Sequence, residues 1–333
     1  MKYSASEKCE IIQLVERSDL SVRKTLAHLD IRRSTFYNWL QRYRDGGVDG
    51  LNDMRPVTTS AWNKIPETHC TAIVDMALAE PQLSPRELAV GYTDDKAYFV
   101  SESSVYRMLK ALDLITSPAY ILMQASDKFQ QPTVRVNEMW QTDFTYFKII
   151  GWGWYYLSTV LDDYSRFIVA WRLCTSMSAT DVSDTLDDAR TFTGIDQVKV
   201  KHQPRLLSDN GPCYIAGELS DYLADHGMTH TRGRPYHPQT QGKIERGHRS
   251  MKNQILLENY YLPGELKIAL QQFVDYYNHE RYHESLKNLT PADVFYGRGQ
   301  EILDQREKIK LATLAQRRKM HNDNQSELLT QMS

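Results

Sequence analysis

The stretch Asn137-Glu-Met-Trp140-Gln-Thr-Asp143-Phe-Thr-Tyr146-Phe-Lys-Ile149 is where the hydrophobic pattern of this chain turns from helical to extended. Aromatic and β-branched residues dominate it. Alternation along a strand sets Gln141, Asp143 and Thr145 on one face and Trp140, Thr142, Phe144 and Tyr146 on the other. Two further strands are predicted over 152–161 and 166–173, joined by the hairpin turn Asp162-Asp163-Tyr164-Ser165, in which Asp162 and Asp163 read as turn formers. A helix over 178–192, short strands near 197–201 and 204–208, and helices near 214–226, 241–258 and 265–284 follow. Strands in a meander and then alternating helices and strands predict a mixed five-stranded sheet covered by helices.

That order is the α/β architecture of ribonuclease H. Upstream of it the pattern is helical throughout. Residues 6–17 read as a helix, Ser21 caps a second, and Ser34 opens a third carrying Phe36, Trp39, Leu40 and Tyr43. Helix, short turn and helix make a helix-turn-helix, whose second helix sits in the DNA major groove. Arg32, Arg33, Ser34, Thr35, Tyr37 and Arg42 are its candidate DNA contacts; the alternative is a three-helix packing module. A flexible break is expected at 45–50. A second helix-turn-helix, with or without a wing, follows over 67–115, with Pro85 in the first turn of one helix, Ser101 capping the next, and Ser103, Ser104 and Arg107 as candidate contacts. The expected organisation is a first DNA-binding domain over 1–50, a linker over 51–66, the second such domain, a linker over 116–136, a catalytic core over 137–298 and a basic tail over 299–333. That tail, with Lys308, Lys310, Arg317, Arg318 and Lys319, reads as helical and then disordered and solvated.

Composition sets limits. The 333 residues are 41% hydrophobic and 25% charged, enough for two or three domains with real cores. Cys9, Cys70, Cys174 and Cys213 form no paired motif, which speaks against a disulfide framework and a structural zinc site and fits a reducing cytosol. No apolar run approaches membrane length, and the N-terminus lacks a signal-peptide pattern. The net charge of −2 hides local asymmetry. Between 231 and 252 stand Arg232, Arg234, Lys243, Arg246, Arg249 and Lys252 against Glu245 alone. The acidic run Asp181, Asp184, Asp187 and Asp188 reads as the solvated face of a helix.

Three acids stand in recognisable settings: Asp143 on the first strand, Asp209 in Leu206-Leu-Ser-Asp-Asn-Gly-Pro212, and Glu245 in Gln241-Gly-Lys-Ile-Glu-Arg246, with 35 residues between the last two. Asp209 ends a strand just before a turn, leaving its carboxylate at the sheet rim, where open α/β sheets bind ligands. Glu245, Arg249 and Lys252 fall at i, i+4 and i+7 on one helix face. Alone, each acid is a turn former or an ion-pair partner. Together, three carboxylates repel unless a cation neutralises them, and paired divalent ions are a device for in-line phosphoryl displacement.

Several segments carry a resemblance: Trp140-Gln-Thr-Asp143, Leu161-Asp-Asp-Tyr-Ser-Arg166, Ser208-Asp-Asn-Gly-Pro212, His237-Pro-Gln-Thr-Gln-Gly-Lys-Ile-Glu245-Arg246, and Tyr277-Asn-His-Glu-Arg-Tyr-His-Glu-Ser-Leu286 with Thr290-Pro-Ala292. Residues 137–298 resemble the integrase core of bacterial insertion-sequence transposases of the DDE class, whose superfamily includes retroviral integrases. The resemblance implies that Asp143, Asp209 and Glu245 are catalytic and hold Mg²⁺ or Mn²⁺. It implies that the N-terminal half binds terminal inverted repeats, and that the protein acts on target DNA as a homo-oligomer, dimer or tetramer, in the bacterial cytoplasm at the nucleoid. His237, Gln241, Lys243, Arg246, Arg249 and Lys252 are its candidate DNA contacts. The His-His-Cys-Cys zinc module of retroviral integrases has no counterpart here, so zinc is not expected. His279-Glu280-Arg281-Tyr282-His283 matches the metalloprotease pattern HExxH, a rival reading if it lies on a helix. A DNA-binding regulator and a nuclease acting on RNA hybrids are the other rivals.

Overall fold

The computed structural model describes residues 5–17, 20–29, 31–51, 61–112, 114–115, 133–197, 203–233 and 242–331. The chain divides into two compact units, residues 1–64 with 320–333 and residues 65–319.

In the first unit, α1 (Ala5–Arg17), α2 (Val22–His28) and α3 (Arg33–Gly50) enclose a small core of Ile12, Val15, Leu26, Ile31, Phe36, Trp39 and Leu51. The expected flexible break at 45–50 is instead a kink within α3, where Gly47 takes φ +61°, a backbone region open to glycine.

In the second unit, α4 (Glu67–Ala79), α5 (Pro85–Lys96) and α6 (Glu102–Ala111) pack around Ile73, Leu88, Tyr92, Val100, Val105 and Leu109. Pro85 takes the first helical position, as the sequence predicts, and Ser84 and Glu87 add a reciprocal capping box. Among the described residues of 67–115 there are helices and turns and no strand that would make a wing.

β1 (Met139–Ile149), β2 (Gly153–Asp162) and β3 (Ile168–Cys174) form the antiparallel meander. After α7 (Ala179–Thr193), β4 (Arg205–Ser208) pairs parallel to β1; after α8 (Pro212–Ile215) and α9 (Gly217–Asp225), β5 (His230–Arg232) pairs parallel to β4. The order β3-β2-β1-β4-β5 is the mixed, ribonuclease H-like sheet. The fifth strand is a correction. It is His230–Arg232, which the sequence reading did not predict, while the strand expected near 197–201 lies, but for Gln197, outside the described residues. The helix expected over 214–226 is likewise two, parted at Ala216.

Helices α10 (Gly242–Ile255) and α11 (Pro263–His279) cover one face of the sheet, packing on Phe147, Ile149, Leu157 and Leu161. α7, α8 and α9 cover the other around Trp140, Val160 and Leu206. Buried Asn278 of α11 both donates to and accepts from the backbone of Ile168, fixing α11 to β3. The acidic face of α7 is more than solvated: Arg172 of β3 bridges Asp184 and Asp188 at 2.6 and 2.8 Å.

α12 (Pro291–Phe295) leads into α13 (Gly299–Gln331), a single 33-residue helix where a helix giving way to disorder was expected. Arg317 is buried and donates to Tyr98 Oη and the Phe99 carbonyl, and Thr313 Oγ1 accepts from Phe99 N–H. Arg306 pairs with Asp94 of α5. Residues 65–319, the second helix-turn-helix together with the sheet and its helices, form one compact unit, in which α13 lies against Tyr98 and Phe99.

Candidate active site

Pairing of β1 with β4 covers Met139–Gln141 against Arg205–Leu207. Continued by two residues, that parallel register sets Asp209 level with Asp143. The two acids therefore stand side by side where β4 ends, although β1 itself runs on to Ile149. Asp209 Oδ1 accepts from Gly211 N–H at 2.8 Å, closing a tight turn. A Cβ at Gly211 would stand 3.0 Å from that oxygen, so glycine keeps the carboxylate unobstructed.

Glu245 comes from the third element. On α10, Ile244, Gly247, His248, Met251 and Ile255 form the buried stripe, leaving Glu245, Arg246 and Arg249 facing solvent. The first turn of this helix is held by a buried clasp. Gln141, fully buried, accepts from Ile244 N–H at 3.1 Å and donates to Asp163 Oδ1 at 2.7 Å. Asp163 Oδ2 accepts from Lys243 Nζ at 2.7 Å and from Thr133 Oγ1 at 2.6 Å, and Lys243 donates also to the Asp163 carbonyl. Two residues before Asp143 and two before Glu245 are thus tied through one carboxylate, which bears directly on where those acids stand.

This clasp corrects two readings. Asp162 and Asp163 are more than turn formers: Asp162 accepts from Asn137 N–H and from the backbone and hydroxyl of Ser165, and burial pushes its carboxyl up. Lys243, taken as a DNA contact, has its ammonium turned inward onto Asp163.

His248 is a residue the sequence reading missed. Buried three residues beyond Glu245, it stands between Asp143 and β2: Nδ1 lies 3.3 Å from Asp143 Oδ2 and Nε2 3.1 Å from Thr159 Oγ1. The Glu-x-x-His spacing on one helix face was the available signal. The Glu245 carboxyl is raised, first by partial burial and then by the charge of Asp143, with Arg249, His248 and Arg246 opposing. The Tyr214 hydroxyl, raised chiefly by burial, feels both Asp143 and Asp209. The three acids thus share one electrostatic neighbourhood. Among the described residues, no three His, Cys, Asp or Glu side chains stand close enough to hold a metal ion together.

The other predicted residues fall as follows. His237 and Gln241 lie outside the described residues. Arg246 and Arg249 are exposed beside Glu245, and Lys252 is half-buried within electrostatic reach of Asp143. Arg32, Arg33, Ser34, Thr35 and Tyr37 are exposed at the start of α3, whereas Arg42 is half-buried and donates to the Gly50 carbonyl, a structural task. On α6, Ser103 and Arg107 are exposed, while the Ser104 hydroxyl joins that of the capping Ser101. HExxH is not helical, because α11 ends at His279. His279 stacks edge-on against Phe167 and His283 against Tyr277, so the pattern serves packing. No helix among the described residues is long and apolar enough to cross a membrane.

Comparison with known proteins agrees with this layout. Two models of an integrase core domain match residues 133–238 and 226–291, and two of a homeodomain-like domain match 2–52 and 35–109. The putative transposase InsK of insertion sequence IS150 from Escherichia coli is 28% identical over 160 residues, 48% of this chain and 54% of that protein. The transposase of IS629 from Shigella sonnei is 27% identical over 164 residues, 48% and 52% respectively. The chain thus spans about half the length of these transposases. The Gag-Pro-Pol polyprotein of mouse mammary tumor virus is 32% identical over 132 residues, 38% of this chain and 7% of the polyprotein. Among solved structures, the HTLV-2 integrase catalytic core in complex with magnesium aligns with TM-score 0.39 and 19% identity over 49% of this chain and 98% of its own. The chain carries an integrase core domain with homeodomain-like domains ahead of it, and is homologous to the IS150 and IS629 transposases.

Proposed function

We propose that this chain is a DNA transposase whose helix-turn-helix units bind the terminal inverted repeats of an insertion sequence and whose carboxylates Asp143, Asp209 and Glu245 direct strand cleavage and transfer. The observation that supports it most is that the three acids share one electrostatic neighbourhood. Parallel register sets Asp209 level with Asp143, and the Gln141–Asp163–Lys243 clasp holds the helix that brings Glu245 within reach of Asp143's charge.

The donors suit Mg²⁺ or Mn²⁺. All three are carboxylates, hard oxygen ligands opening toward solvent. The Cys213 thiol beside them is pushed up by burial and by the charge of Asp209. Asp143 and Asp209 would hold one ion and Asp143 and Glu245 another. When bound, such a pair supplies neutralisation of charge at phosphorus and an activated attacking oxygen.

The protein's own groups do the rest. His248 fixes the Asp143 carboxylate from behind. Arg246 and Arg249 hold backbone phosphates, which set register without reading sequence, while exposed side chains of α3 and α6 meet base edges. Pairing two element ends calls for a homo-oligomer. The work is done at the bacterial nucleoid, in the cytoplasm.

The test is cleavage and joining of labelled oligonucleotides carrying the element's ends, in Mg²⁺. Asp209→Asn is expected to abolish product and retain end binding. Undiminished joining by that variant refutes the assignment, and a wild-type protein that binds ends without ever cutting them is a regulator instead.

A further inference from the structure

Among the described residues, the sheet face that α7, α8 and α9 cover is left open toward the β1–β2 turn. Along β1, Phe147 and Ile149 point into the core beneath α10 and α11, so Tyr146 and Lys148 point the other way. Packing on that side reaches Phe144, whose ring lies 6.2 Å from Tyr214, and stops there. Beyond it, Tyr146, Trp154 and Trp152 are 54%, 52% and 59% exposed. Three large aromatics left in water on a rigid hairpin are not needed by the core, and such patches mark interaction surfaces.

We propose that this outer face of the β1–β2 hairpin is a shelf that stacks unpaired bases of the DNA strand passing the carboxylates. The inference rests on the transposase reading and adds a ligand to it.

The geometry favours a nucleic acid over a second protein copy. Tyr146 and Trp154 meet edge to face, with centroids 5.4 Å apart. Each carries a cation: Lys252 Nζ stands 4.1 Å from the Tyr146 centroid, and Lys148 Nζ 5.8 Å from that of Trp154. Neither lysine forms an ion pair among the described residues, so both keep donors for phosphate. Lysine is depleted in protein–protein interface cores, whereas aromatics interleaved with cations are the usual platform for single strands. Bases within a duplex present no free face; unpaired ones do.

Position supplies the second argument. Tyr146 lies three residues along β1 from Asp143, about 10 Å at strand rise, or roughly three stacked base steps. Lys252 spans the interval, lying over Tyr146 within the field of Asp143. The shelf is therefore placed to hold bases next to the reacting phosphodiester without entering the site.

The experiment measures binding alone, with the full chain in EDTA, so that failure of strand chemistry cannot be mistaken for failure of the shelf. Fluorescein-labelled duplexes ending in three unpaired thymidines, and the same duplexes blunt-ended, are titrated by anisotropy. Tyr146→Ala and Trp154→Ala are each expected to weaken binding of the unpaired end about tenfold and to leave blunt-end binding within about twofold. Tyr146→Phe and Trp154→Phe, which keep a ring face, are expected to bind like wild type and to exclude misfolding as the cause. Wild-type affinity of both alanine variants for the unpaired end overturns the proposal. So does an equal loss on both duplexes, which denotes general backbone binding. So too does conversion of a dimer to a monomer in light scattering with base binding unchanged, which makes the face a protein interface. If the shelf behaves as expected while the wild-type protein never joins strands in Mg²⁺, the transposase reading alone fails.

Discussion

Asp163→Ala probes the clasp that holds the first turn of α10. The substitution removes the partner of Lys243 at a carboxylate 2% exposed and strips Gln141 Nε2, fully buried, of its acceptor. Breaking a buried ion pair from one side costs about 3–5 kcal/mol, and orphaning a buried amide about 1–3 kcal/mol. These losses overlap, and the Lys243 side chain, 23% exposed, regains some water. A net loss of about 3 kcal/mol follows, or about 6–12 °C in the melting of a unit this size. Asp163→Ala with Lys243→Met removes both charges and is expected to recover at least half of that loss, because a buried pair replaced by apolar groups is often neutral. The assay is urea and thermal denaturation of the three proteins, with strand joining measured at 25 °C, where all remain folded. Joining by Asp163→Ala is expected to fall more than tenfold, because Glu245 rides on the loosened turn. A variant that melts and joins like wild type refutes the claim that this clasp positions α10.

Other outcomes follow from the same contacts. His248→Ala, which frees the Asp143 carboxylate, is expected to slow joining about 10–100-fold, with His248→Asn recovering part of it. Arg317→Ala removes the donor to Tyr98 Oη and Phe99 O and is expected to destabilise the unit of 65–319 by about 2–3 kcal/mol, read by urea denaturation. Burial, aided by Arg281, Arg166 and Arg86, pushes the His283 imidazole down to about 3. Its folded pKa is thus below its unfolded one, so stability is full above about pH 6.5 and falls as pH drops toward 3, by at most about 1.4 kcal/mol per unit. Urea unfolding of His283→Phe between pH 7 and 5 is expected to show a shallower fall than wild type.

The strands of the meander were legible because long runs of alternating, β-branched and aromatic residues allow few other conformations, and the acids were legible because their flanking residues are unusual. What was not legible depends on distant partners. β5 has three residues, too few for any period to register. Lys243 looks like a surface cation until the fold brings Asp163 beneath it, 80 residues away in sequence. Arg317 looks like part of a solvated tail until α13 lies against Tyr98. His248 stood in view at a suggestive spacing, but its worth lies in Thr159 and Asp143, on two other strands. Local pattern reports an element and its faces; it cannot report what a long polar side chain will find.

The central claim is that Asp143, Asp209 and Glu245 act as one metal site on DNA. Anomalous diffraction from crystals of the full chain with Mn²⁺ and a DNA end tests it most directly. The account predicts manganese peaks within coordination distance of all three carboxylates and a DNA phosphate. Peaks elsewhere, or a DNA complex in which these acids bind no manganese, contradict it.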